Sequence, residues 1–104
     1  MAPTALTFGE FQADRGSRVV TCPGRTITLS PREFGLLEAL LERPGIPLSR
    51  LQLRERLYGE GREILGNPVQ VHVHNVRAKL GVDVIRTIRG MGYVINRSAR
   101  PPGH

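Results

Sequence analysis

Cysteine occurs once in this 104-residue chain, lysine once and tryptophan never. A lone Cys22, read as a small residue beside a turn, excludes an internal disulfide. The fold must then rest on packing, and a reducing cytoplasm is the expected compartment. No apolar run approaches the roughly 20 residues of a membrane span, and no signal-peptide pattern opens the sequence. No glycine-rich phosphate loop, nucleophile motif or close acid pair stands out. The carboxylates Glu33, Glu38, Glu42, Glu55, Glu60 and Glu63 scatter along helical faces, most with an arginine nearby. The chain is not expected to be an enzyme, and no cofactor or metal is expected.

What is present is positive charge, unevenly placed. Of the net +6, residues 1–30 carry +1, residues 31–66 zero, residues 67–97 carry +4, and Arg100 adds the last. A localised basic field points to a polyanionic partner. Arginine outnumbers lysine 14 to 1, which a GC-rich genome would produce without any functional cause. The length suits one domain able to bury about two-thirds of its unfolded surface.

The stretch from Asn67 to Leu80 decides the function, because it reads two ways. As a strand, it puts His72 and His74 on one face, as a metal chelate needs. As a helix, it sets them roughly 200° apart and presents a polar strip to a DNA groove. Helix is better supported. Asn67 is a good N-cap, Pro68 fits the first helical position, and Gln70 stands where it closes a capping box. Gly81 stops the run, with Arg77 and Lys79 suited to the negative end. Val69, Val73, Val76 and Leu80 form one apolar stripe, and strand alternation fails after Val73. The spacing predicts a helix over 68–80, held by packing because β-branched valines are weak helix formers.

Before it, Leu6–Phe8, Phe11–Ala13, Arg18–Val20 and Thr26–Leu29 read as short strands between turn residues, giving an antiparallel meander. Ser30-Pro31-Arg32-Glu33 opens a helix with a capping box, which Pro44-Gly45 ends. Pro47-Leu48 crosses in extended form, and Ser49 to Gln52 caps a second helix that Leu53, Leu57 and Tyr58 continue. Residues 60–66 form a charged, glycine-containing loop. Val84–Ile88 and Tyr93–Ile95, joined by Arg89-Gly90-Met91-Gly92, form a hairpin. The order implies an α+β winged helix-turn-helix domain over 1–97: a four-stranded antiparallel sheet, three helices and a hairpin wing. Residues 98–104 read as a flexible C-terminal tail.

These stretches resemble a known family, the DNA-binding effector domains of OmpR/PhoB-type bacterial response regulators. The resemblance lies in Leu29-Ser30-Pro31-Arg32-Glu33-Phe34 with Leu36-Leu37, then Pro44-Gly45 through Ser49-Arg50. It continues in Val69 to Val73, Arg77-Ala78-Lys79-Leu80, and Ile85-Arg86-Thr87-Ile88-Arg89-Gly90-Met91-Gly92-Tyr93. The hairpin signature is the most specific, and coverage runs from about Leu6 to Ile95. The pair His74-Asn75 resembles the subgroup that includes the PmrA and QseB regulators. Family membership implies a role in a two-component phosphorelay, with a receiver domain and sensor kinase as partners. The receiver is not in this sequence, so the chain reads as an excised effector domain or a stand-alone relative, with excision favoured.

Opposite the apolar stripe fall Val71, His74, Asn75 and Ala78, with His72 and Arg77 on the flanks. Central groups meet base edges and flanking groups meet phosphates. Val71 would pack on a thymine methyl, His74 would donate to guanine N7 or a phosphate, and Asn75 would pair with adenine. Asn67, His72 and Arg77 would hold the backbone. Arg89, at the wing tip, would enter the minor groove, with Thr87 and Tyr93 on phosphates. The resemblance implies the same roles for His72, Arg77, Asn75 and the wing. It also implies tandem direct repeats of double-stranded DNA as target, RNA polymerase as a further partner through residues 60–66, and a monomeric isolated domain. Two rivals stand beside this reading. One is a winged helix that contacts protein and never nucleic acid; the other is a metal sensor using His72 and His74.

Overall fold

Turn chemistry divides the start of the chain into four short strands. In a computed structural model, which describes residues 5–59 and 68–101, these are β1 (Ala5–Phe8), β2 (Phe11–Asp14), β3 (Val19–Cys22) and β4 (Arg25–Thr28). They pair antiparallel in sequential order. Register places Leu6, Ala13, Val20 and Ile27 side by side in one row, and Thr7, Gln12, Thr21 and Thr26 in the next. The first row faces the core; the second is exposed, as the two-residue period of a strand requires. Strand β3 starts one residue later than the sequence suggests. Arg18 takes a left-handed conformation, φ 60°, and belongs to the turn that Asp14 closes by accepting from the Ser17 amide and hydroxyl.

Helix α1 (Pro31–Glu42) follows a complete capping box: Ser30 accepts from the Glu33 amide, and Glu33 accepts from the Ser30 amide. Phe34, Leu36, Leu37 and Leu40 carry it into the core. Helix α2 (Arg50–Tyr58) repeats the device with Ser49 and Gln52. Among its residues Leu53 is fully buried, Leu57 packs half-buried on the core, and Arg56 pairs with Glu42 of α1. Helix α3 spans Pro68–Leu80 and buries Val69, Val73, Val76 and Leu80, the expected stripe. The extended alternative for this stretch is thereby corrected: the apolar period is helical. The Asn67 cap and the loop 60–66 lie outside the described residues.

Strands β5 (Ile85–Ile88) and β6 (Gly92–Ile95) form the wing hairpin. The extended crossing before α2 joins it. Leu48 and Tyr93 exchange both backbone hydrogen bonds, at 2.8 and 2.9 Å, adding a one-residue third strand. Gly92 permits this approach: at φ 130°, a β-carbon there would lie 2.0 Å from the Leu48 carbonyl oxygen. Helix α1 packs against α2, α3 and β6, and so sits at the centre of the C-terminal unit.

The tail differs from expectation. Ala99 is buried, its carbonyl accepts from the Glu10 amide, and its own amide donates to the Asn96 carbonyl. Pro101 is buried as well. Ala99 fits against the β1–β2 turn because Gly9 leaves room there; a β-carbon on Gly9 would come within 2.2 Å of the Ala99 oxygen. Ser98 to Pro101 is thus a docked strap rather than a frayed end, and residues 102–104 lie outside the described residues.

Candidate nucleic-acid interface

The outward side of α3 is built by subtraction. Once four residues bury the stripe, 3.6-residue geometry leaves the opposite side in water. Val71 is 56% exposed, and His74 and Ala78 are exposed with it. Asn75 is half-buried at the edge of this strip. The helix therefore brings Val71, His74 and Asn75 to one side, as its period predicts, and carries His72 elsewhere.

His72 turns toward α2. Its Nε2 atom lies 2.7 Å from the Tyr58 hydroxyl, and the two rings stack. The Arg32 guanidinium lies over the Tyr58 ring, 3.8 Å from its centre. Burial pushes the His72 imidazole below the ordinary histidine range; Glu33 pulls it up and Arg32 pushes it down. His72 is accordingly a neutral ring wedged between helices rather than a solvated flank group.

Arg77 is likewise engaged within the fold. Its Nε and Nη2 atoms donate to the Ile85 carbonyl at 3.1 and 2.7 Å, and Nη2 also donates to the Thr87 hydroxyl oxygen at 3.0 Å. Thr87 is exposed, and since its oxygen accepts from Arg77, its O–H is left to donate outward. Arg89 is exposed at the wing tip beside Gly90 and Met91, the last 59% exposed. Tyr93 is 8% exposed and lines an open groove of about 470 Å³ between the start of α2 and the wing, with Ser49, Arg50 and Thr87. Two basic groups, Arg50 and Arg89, flank that groove.

Residues 24–95 match the family described as "Transcriptional regulatory protein, C terminal". The chain belongs to this family. It is a family of transcriptional regulators, not of enzymes. Among curated relatives, the response regulator protein PmrA of Pseudomonas aeruginosa is 46% identical over 90% of this chain and 42% of its own. The transcriptional regulatory protein QseB of Escherichia coli O157:H7 is 44% identical over 90% and 43%. The chain thus spans about two-fifths of the length of these relatives. Among solved structures, the DNA-binding domain of CpxR from E. coli superposes with a TM-score of 0.77 at 27% identity, covering 94% of this chain and all of that one. The Klebsiella pneumoniae RstA DNA-binding domain, solved with the RstA box, gives 0.77 at 26% identity, covering 91% and 99%. The winged-helix architecture and the PmrA- and QseB-like subgroup read from the sequence agree with these matches. No helix among the described residues is long and apolar enough to cross a membrane.

Within this regulatory fold, sequence reasoning missed three links. They are the Tyr58–His72 pair, the Arg77 bridge to β5, and the ion pair of Lys79 with Glu33. Each joins residues at least eight positions apart through side chains. Only the last left a trace: the chain's sole lysine falls on the flank of α3 facing a capping glutamate.

Proposed function

We propose that this chain binds double-stranded DNA sequence-specifically as the effector domain of a two-component transcriptional regulator. Helix α3 enters the major groove, with Val71, His74 and Asn75 at base edges, and Arg89 of the wing enters the adjacent minor groove. Thr87 and Arg77 meet phosphates, and Tyr93 lines the same wall. His72 is left out of the backbone set, because its Nε2 atom is paired with Tyr58. One observation carries the reading: an exposed strip on α3 stands beside an exposed arginine on a wing braced to that helix. The RstA domain, a relative of this fold, was solved on its DNA box. A receiver domain and sensor kinase complete the regulator in its full-length form, in the cytoplasm, and RNA polymerase is a further partner. The isolated domain is a monomer that recognises tandem direct repeats about one helical turn apart.

Titrating a random duplex at two salt concentrations tests the class. A DNA binder loses affinity steeply as salt rises, through counterion release. Affinity indifferent to salt would instead mark a protein-interaction module. Selection from a randomised library then tests sequence specificity.

A further inference from the structure

We infer that Arg77 is a positioning residue that holds the wing at a fixed angle to α3, and so sets the spacing between the bases read in the major groove and the minor-groove segment read by Arg89. The inference rests on the docking proposed above. Its ground is how few other links join the two reading elements. Helix α3 packs on α1, and β6 packs on α1, so each is held to a shared neighbour while contact between helix and wing is sparse. The root of the hairpin is fixed to the turn after α3, where Asn96 donates to the Asp83 and Val84 carbonyls. Beyond that root the Leu48–Tyr93 pair ties the wing to the segment before α2, and among the described residues the hydrogen-bonded link from α3 itself is Arg77.

The guanidinium suits the task. Its planar fork places Nε and Nη2 together on the Ile85 carbonyl while Nη2 also reaches the Thr87 hydroxyl. Two anchor points two residues apart on one strand fix direction as well as distance. A lysine keeps the charge that attracts phosphate but has no second nitrogen in the place of Nε on the Ile85 carbonyl, and its ammonium on a flexible stem holds the anchors without the fixed plane of the guanidinium. Losing the fork leaves the angle between α3 and the wing to the Leu48–Tyr93 pair and the packing of β6 on α1, neither of which touches α3, and widens the range it covers. Arg89 then meets minor grooves at several offsets.

The test uses the best duplex from a randomised-library selection, rebuilt with one to three base pairs inserted between its two read segments. The wild-type chain should lose about tenfold in affinity per misplaced step, the scale of one mispaired contact. Arg77→Lys should flatten that profile to within about threefold. Thr87→Val, which removes the hydroxyl anchor together with its outward-facing donor, should flatten it in part and lower affinity for all spacings alike. If both variants retain the wild-type spacing profile, the inference is overturned. Residual dipolar couplings of the free proteins give a reading without DNA: the α3–wing angle should be single-valued in the wild type and averaged in Arg77→Lys. Should Arg77→Lys fail to fold, Thr87→Val decides. If the wild-type chain enriches no duplex, the docking itself fails, and an unchanged angle in the variants would overturn the strut separately.

Discussion

Lys79 and the Ser30 amide share one acceptor, the Oε1 atom of Glu33, at 2.6 and 3.0 Å. The oxygen that completes the α1 cap therefore also ties down the last turn of α3. Glu33 is 5% exposed, a buried carboxylate satisfied by two donors from different parts of the chain. Arg25 adds to the same corner by donating to the Lys79 carbonyl at 3.2 Å, where the α3 end leaves acceptors free.

Lys79→Met should therefore destabilise the fold by about 1–3 kcal/mol, toward the lower end because the ammonium is partly in water. Burial pushes the Glu33 carboxyl up, but Lys79 and the Ser30 bonds outweigh it and hold the group below its ordinary value. A depressed carboxyl stabilises above its unfolded pKa, near ~4.3, and that contribution is lost as pH falls through the folded value. Urea melts down an acid series should show a smaller loss in Glu33→Gln than in the wild type, the remainder coming from Asp14 and Glu42, whose carboxyls are also held low.

His72 gives a step at a different pH. Burial keeps its ring neutral in the fold, whereas the unfolded chain takes up a proton near ~6.5. The unfolded state then binds more protons, so stability is complete above that pH and declines as pH falls toward the folded value. The melting temperature should fall between about pH 7 and about pH 5, and fall less in His72→Gln. DNA affinity that rises on acidification and loses that rise in the same variant would restore His72 as a phosphate contact.

Gly92→Ala should cost about 2–3 kcal/mol, since its β-carbon meets the Leu48 backbone and the left-handed φ is strained as well. Gly90→Ala, at φ 79° with nothing within 4 Å of the added carbon, should cost about 1 kcal/mol. Chemical denaturation of the pair separates close approach from backbone strain. Equal losses would mean that the Leu48–Tyr93 pairing contributes little.

Arg89→Ala and Asn75→Ala should fail differently on DNA. The first should weaken all duplexes and lower the salt slope by about one. The second should relax preference at one base position, worth ~1–3 kcal/mol there. An unchanged slope would remove Arg89 from the interface, and uniform weakening would make Asn75 a backbone contact.

Local signals were legible in the sequence. Ser30 with Glu33, Ser49 with Gln52, and the valine row of α3 are written within a turn or two of helix, and the structure places them as read. What escaped is set by packing between distant elements. Nothing near His72 announces that Tyr58, 14 residues earlier, will take its Nε2 atom. Nothing near Arg77 announces β5. Arg18 was legible as β-prone by its valine neighbours, yet the turn closed by Asp14 claims it. The tail misled for a related reason: proline and glycine composition looks frayed, but Gly9 opens a seat that only the folded sheet creates.

The Lys79–Glu33 pair also has a practical side. Activated esters for dyes, cross-links or surface coupling find, besides a terminal α-amine, one side-chain amine in this chain. That amine is engaged at 2.6 Å, so acylation competes with the ion pair and loosens the α1–α3 seam where it succeeds. A sensor chip loaded by amine chemistry through Lys79 would hold a molecule already altered beside α3, and an engineered cysteine away from α3, with the free Cys22 replaced, is the sounder handle.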